Sequence, residues 1–145
     1  MSKAKILFLC TGNSARSQMA EAFLRKYGGE RFEAYSAGMK PRGLNPLTVK
    51  VMNEVGIDVS RQASKGPEAY LGTTLFTEVI SVCKEAEENA PTAWVSLEIR
   101  RQWPFEDPST FEGTEEEKLA KFREVRDLIE KRVKEWLAQQ KIPDQ

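Results

Sequence analysis

One stretch constrains this chain more than any other: an apolar run that ends in turn formers and gives way at once to helical periodicity. Ile6-Leu7-Phe8-Leu9 is continuously apolar, the pattern of a strand covered on both faces in a parallel sheet. It runs into Cys10-Thr11-Gly12-Asn13-Ser14. From Ser17 the apolar residues Ala20, Phe23, Leu24 and Tyr27 share one face of a 3.6-residue period, and Gly28-Gly29 stops that helix.

The same alternation continues downstream. A second strand is expected over Phe32 to Ala37, closed by Gly38. Asn45-Pro46 reads as an N-cap with proline at the first helical position, Val49, Met52 and Val55 as its apolar face, and Gly56 as the C-terminal cap. Thr77 to Val82 is β-branched and apolar and predicts a third strand ending at Cys83; Ala93 to Leu97 predicts a fourth. Thr114 with Glu117 forms a capping box. It opens a long helix with the stripe Leu119, Phe122, Val125, Ile129, Val133 and Trp136. Strands alternating with helices predict an α/β fold: a three-layer sandwich around a four-stranded parallel sheet with right-handed crossovers. With 145 residues and no internal repeat or linker, residues 1–145 read as a single domain. Gly66 to Thr74 is the least regular internal stretch, and Gln139 to Gln145 reads as a frayed tail.

Composition narrows the chemistry. Lys plus Arg and Asp plus Glu are equal at 22 each. That balance argues against nucleic acid or an anionic membrane as the main partner. Arg100-Arg101-Gln102-Trp103 is a basic patch near the site mouth, too isolated to read as a nucleic-acid site. No apolar run reaches the roughly 20 residues of a membrane span. MSKAKILFLCTG reads as a first strand rather than a signal peptide, which places the chain in the cytoplasm. There is no histidine, so histidine-based triads, Cys-His proteases and HExxH zinc sites are excluded. The only cysteines, Cys10 and Cys83, are too few for a structural zinc site and read as reduced thiols. A monomer without metal is expected.

Cys10 to Ser17 has the form Cys-x5-Arg-Ser. A loop at the carboxyl end of a parallel strand lies where such sheets bind ligands. Successive N–H groups at a helix N-terminus cradle an anion, so Thr11, Gly12, Asn13, Ser14, Ala15 and Arg16 are the candidate binding residues. Gly12 lets the backbone curl, and Arg16 offers a planar two-pronged donor to a tetrahedral oxyanion. Cys10, below the helix dipole and the guanidinium, is favoured as the thiolate and is the candidate nucleophile. Ser17 can donate its hydroxyl to that sulfur. Asp107, before Pro108, can protonate a poor leaving oxygen; Asp-Pro is equally a turn signal.

The loop, its place and the chain length resemble the low-molecular-weight phosphotyrosine phosphatase family. The chain is more similar still to the thioredoxin-coupled arsenate reductases built on that fold. FLCTGNSARSQMAEAF, YSAGMKPRGLNPLTVKVMNEVGIDVS, WPFEDPS and GTEEEKLAKFREVRDLIEKR carry the resemblance over nearly the whole chain. It implies reduction of arsenate to arsenite for detoxification, with residual phosphatase activity. Asp107 matches the family's general acid. Cys83 matches the cysteine that attacks the cysteine-bound arsenic, releases arsenite and forms a disulfide with the loop cysteine. The implied reductant is an external thiol: thioredoxin, glutaredoxin with glutathione, or a similar small thiol. One branch of these reductases holds a potassium ion behind the loop, on residues matching Asn13, Glu21 and Ser36. Its fourth, acidic member is here Lys65, which implies that the lysine ammonium fills the cation site.

Two departures matter. The third cysteine of the three-cysteine reductases has no counterpart in Lys84 to Pro91, and Ala15 stands where many relatives carry cysteine. A tyrosine phosphatase is the first alternative. Against it, Met39-Lys40-Pro41-Arg42-Gly43-Leu44 lacks an aromatic wall, and Asp107-Pro108 is followed by Ser109 rather than tyrosine. A non-catalytic oxyanion-binding module is the second.

Overall fold

A computed structural model describes residues 3–10, 12–13, 15–70, 74–82 and 100–140. β1 spans Ala4–Cys10, α1 Arg16–Gly28, β2 Phe32–Gly38 and α2 Pro46–Asn53; β3 spans Glu78–Ser81, β4 Arg100–Gln102 and α3 Glu115–Gln139. Short 3-10 turns lie at Pro67–Ala69 and Pro108–Thr110. Among the described residues the strands form one parallel sheet in the order β2-β1-β3-β4. From β1 the chain steps to one side to make β2 and to the other to make β3. A crevice therefore opens at the carboxyl ends of β1 and β3, the usual ligand position in such sheets.

The sheet is apolar on both faces because both are covered. Ile6, Leu7, Phe8 and Leu9 are at most 1% exposed. On the face of Phe8, α1 and α3 pack together: Phe32 meets Trp136 at a ring separation of 4.9 Å, and Phe8 meets Trp103 at 5.8 Å. On the opposite face Tyr35, Tyr70 and Phe76 form an edge-to-face cluster with centroids 5.4–5.5 Å apart. Burying a side chain the size of Phe8, Phe23 or Phe122 stabilises the fold by roughly 2–3 kcal/mol.

α3 follows the sequence expectation closely. Thr114 accepts from Glu117 N at 3.2 Å and Glu117 accepts from Thr114 N at 3.0 Å. All six residues of the expected stripe are buried. Gln139 belongs to this helix; the rest of the expected frayed tail, beyond residue 140, lies outside the described residues.

Three expectations need correction, and a fourth falls outside the described residues. α2 has the expected Asn45 cap and buries Met52 as expected, but Thr48 and Val51 complete its buried face, while Val49 and Val55 are only partly buried against the core. The helix is only eight residues long, and Val55 lies past its end. β2 extends one residue further, through Gly38, and β3 is shorter than Thr77 to Val82. The described fourth strand is Arg100–Gln102, whereas Ala93 to Leu97 lies outside the described residues. The segment read as a basic patch therefore supplies an edge strand, and Trp103 is buried against the core.

Candidate active site

β1 carries Cys10 to the carboxyl edge of the sheet, where it is buried. Its carbonyl accepts from Met39 N at 3.0 Å, which ties the loop's first residue to the end of β2. Val82 N donates to Leu9 O at 2.9 Å, which holds the chain beyond β3 against the same edge. Cys83 itself, like Thr11 and Ser14, lies outside the described residues.

Asn13 shapes the loop. Its φ is +48°, the only positive value at a non-glycine position among the described residues, and asparagine tolerates this region better than most residues. Its buried amide is fully used. Nδ2 donates to Ser17 Oγ at 2.8 Å and to Ser36 Oγ at 3.0 Å. Oδ1 accepts from Lys65 N at 2.9 Å and from Gln18 Nε2 at 3.0 Å. Gln18 also donates to the carbonyls of Asn13 and Ala63, and Gln62 Nε2 donates to Gln18 Oε1 at 2.6 Å.

Behind this network Ser36 donates to Glu21, and Glu21 also pairs with Arg25. Lys65 Nζ lies 3.9 Å from Glu21 Oε1 and donates to Ala63 O at 2.7 Å. Burial pushes the Lys65 ammonium below its ordinary pKa against the opposing pull of Glu21, and Arg25 adds to the lowering. With two cationic side chains already at Glu21, the residues do not fit an additional monovalent cation.

The mouth is built by three separate segments. Arg16 opens α1, with Ala15 at the N-cap offering no side-chain acceptor. The Arg16 guanidinium is buried; Nη1 donates to Phe105 O at 3.0 Å and Nη2 lies 3.3 Å from Asp107 Oδ2. Asp107 caps the turn Pro108–Thr110, its Oδ1 accepting from Ser109 N at 3.0 Å and Ser109 Oγ at 2.6 Å. The turn and the site carboxylate are thus one residue with two jobs. Burial pushes the Asp107 carboxyl up. The bonds from Ser109 and the charges of Arg16 and Arg42 outweigh that and hold it below the usual carboxylate range.

The fold therefore gathers Cys10, Gly12, Asn13, Ala15, Arg16, Ser17 and Asp107 at one end of the sheet, with Glu21, Ser36 and Lys65 behind the loop. Gln18, Gln62 and Ser64 also belong to this assembly and carry no sequence signal, while Arg42 and Ser109 stand out in the sequence as positions without the phosphatases' aromatic residue. Ser109 also carries a local signal, as the hydroxyl two residues after an Asp-Pro turn start.

A cysteine-bearing anion loop between the first strand and first helix, faced by an Asp-Pro carboxylate, defines a protein of the phosphatase-like oxyanion class. The chain belongs to the low molecular weight phosphotyrosine protein phosphatase family, whose profile matches residues 5–144. Its similarity to individual members narrows the branch. It is 46% identical over 138 residues to the arsenate reductase of Bacillus licheniformis, covering 94% of this chain and 96% of the relative. It is 48% identical over 134 residues to that of Halalkalibacterium halodurans, covering 92% and 95%. A solved arsenate reductase in a phosphate-binding state superposes with a TM-score of 0.78 at 35% identity, covering 94% of this chain and 98% of that one.

Proposed function

We propose that this protein reduces arsenate to arsenite and so serves arsenic detoxification. The observation that carries the reading is the arrangement of the Cys10–Arg16 loop, with Arg16 and Asp107 3.3 Å apart at its mouth, in a chain that shares nearly half its residues with arsenate reductases.

The chemistry follows from the residues. The loop N–H groups and Arg16 hold the oxyanion above Cys10. The Cys10 thiolate, supported by a hydrogen bond from Ser17, attacks arsenic, and one arsenate oxygen leaves as water after taking a proton from Asp107. The lowered pKa of Asp107 keeps it a carboxylate beside Arg16 and Arg42. A bound dianion draws Arg16 away and adds negative charge beside it, and both effects favour the protonated acid. The thiolate of Cys83 then closes a disulfide onto Cys10. The bonding pair of the sulfur–arsenic bond stays on arsenic, which departs as arsenite. An external thiol reductant restores both cysteines.

The cation position behind the loop is assigned to Lys65, whose charge helps offset Glu21. Among the described residues the groove beside the mouth is lined by Arg42 and Ser109 and by no aromatic side chain, and Ser109 is engaged with Asp107, which supports a small inorganic oxyanion over an aryl phosphate. The decisive experiment incubates the reduced protein with arsenate and a thiol donor and compares arsenite release with aryl phosphate hydrolysis. Arsenite must be released and must depend on Cys10; fast aryl phosphate turnover without arsenite would reject the reading.

A further inference from the structure

Arg42 is seated on the loop rather than draped over the surface. A Cβ at Gly12 would lie 2.4 Å from Arg42 Nε and 2.8 Å from Nη2, so glycine at this position lets the guanidinium lie directly over the loop backbone. The Arg42 backbone N–H donates to Gly12 O at 3.0 Å. Ser64 Oγ donates to the same carbonyl at 3.1 Å and accepts from Gly43 N at 3.1 Å. The segment that carries Arg42 is therefore fastened to the loop by backbone and side-chain bonds.

The far end of the side chain meets the site carboxylate. Arg42 Nη2 lies 3.7 Å from Asp107 Oδ2, the oxygen that Arg16 approaches to 3.3 Å. The Arg42 side chain is 53% exposed. It borders an open groove of about 290 Å³ that Leu44 and Ser109 also line.

A tetrahedral anion in the loop turns three oxygens toward the loop N–H groups and Arg16. The fourth, which is lost when sulfur attacks, has to face Asp107 to be protonated. It therefore arrives within reach of Arg42. In free arsenate or phosphate this oxygen is unsubstituted, and a guanidinium adds a charge-assisted hydrogen bond to it. In a monoester or phosphonate an organic group occupies that direction and has to pass the same guanidinium.

We propose that Arg42 is a specificity-determining residue that favours unsubstituted inorganic oxyanions over organic phosphates. The proposal rests on the oxyanion-binding role of the loop and not on the reduction step.

The test measures protection of Cys10 from iodoacetamide by arsenate, phosphate and phenylphosphonate, read by mass spectrometry of the Cys10 peptide. It compares wild type, Arg42→Met and Arg42→Lys. Arg42→Met should raise the concentration for half-protection about tenfold for arsenate and phosphate, the scale of one lost charge-assisted bond, and leave phenylphosphonate nearly unchanged. Arg42→Lys, which keeps the charge but loses the fork, should fall between. Equal weakening for all three anions, or no change, would overturn the specificity role. A wild type unprotected by any of them would overturn the oxyanion loop and this inference together. Thermal melting of both variants, expected to match wild type at so exposed a side chain, separates a binding loss from a folding loss.

Discussion

Asn13 Nδ2 donates to Ser36 Oγ at 3.0 Å, joining the strained turn of the loop to the strand beside it. The same amide holds Ser17, Gln18 and the Lys65 backbone. These bonds hold Asn13 from behind, the kind of support a preorganised oxyanion site needs.

Asn13→Ala should therefore be costly. It would strand several buried polar groups and place alanine at a positive φ. A loss of about 2–4 kcal/mol is expected, seen as a lower denaturation midpoint, together with weaker phosphate protection of Cys10. A variant as stable and as well protected as wild type would show that the network does not shape the loop.

Asp107 separates binding from chemistry. Asp107→Asn should lower turnover by ~10²–10⁴-fold, the usual value of a positioned acid. Phosphate affinity should stay equal or rise, because a negative charge leaves the mouth. Wild type also gains stability from the ionised carboxylate, whose folded pKa lies below its unfolded value of about 4. That contribution is present above pH ~4 and fades as the pH falls through the lower folded value. Asp107→Asn should flatten the acid limb of the melting temperature against pH; an unchanged acid limb would place the pairing with Arg16 outside the stability of the fold.

With Lys65 proposed at the cation position, the protein should not respond to potassium. Melting temperature and turnover should be the same in potassium and in a bulky organic cation at matched ionic strength, because the ammonium already faces Glu21. A gain with potassium is expected only in Lys65→Asp. A potassium-specific gain in wild type would refute the assignment.

Much of this site was legible because its residues are neighbours in sequence. The strand, the turn formers and the helix that frame Cys10 to Ser17 are local signals, and so is the capping box that starts α3. What could not be read depends on contacts between distant segments. Gln18 reaches Ala63 across 45 positions, and Arg42 fits over Gly12 only once β2 pairs with β1. The burial of Val51 rather than Val49 or Val55 on α2 has a related cause. Val51 is chosen by the packing of α2 against α3, where Arg126 donates to Val51 O at 2.9 Å, and three-residue spacing in so short a helix finds Met52 but does not encode Val51.

Cys83 is the expected resolving thiol. Cys83→Ser should keep phosphate protection of Cys10 and lose multiple turnover with a thioredoxin-type reductant, since the second sulfur of the disulfide is gone. Unchanged turnover would make Cys83 a structural residue and assign resolution of the Cys10 adduct to an external thiol.

The most direct test of the central claim is a single turnover of the fully reduced protein with excess arsenate and no added reductant. About one arsenite per protein chain should form with concurrent loss of two titratable thiols, the stoichiometry of one intramolecular disulfide, and no arsenite should form from Cys10→Ser. Arsenite formed equally well by Cys10→Ser, or none from wild type while aryl phosphate is hydrolysed rapidly, would contradict it.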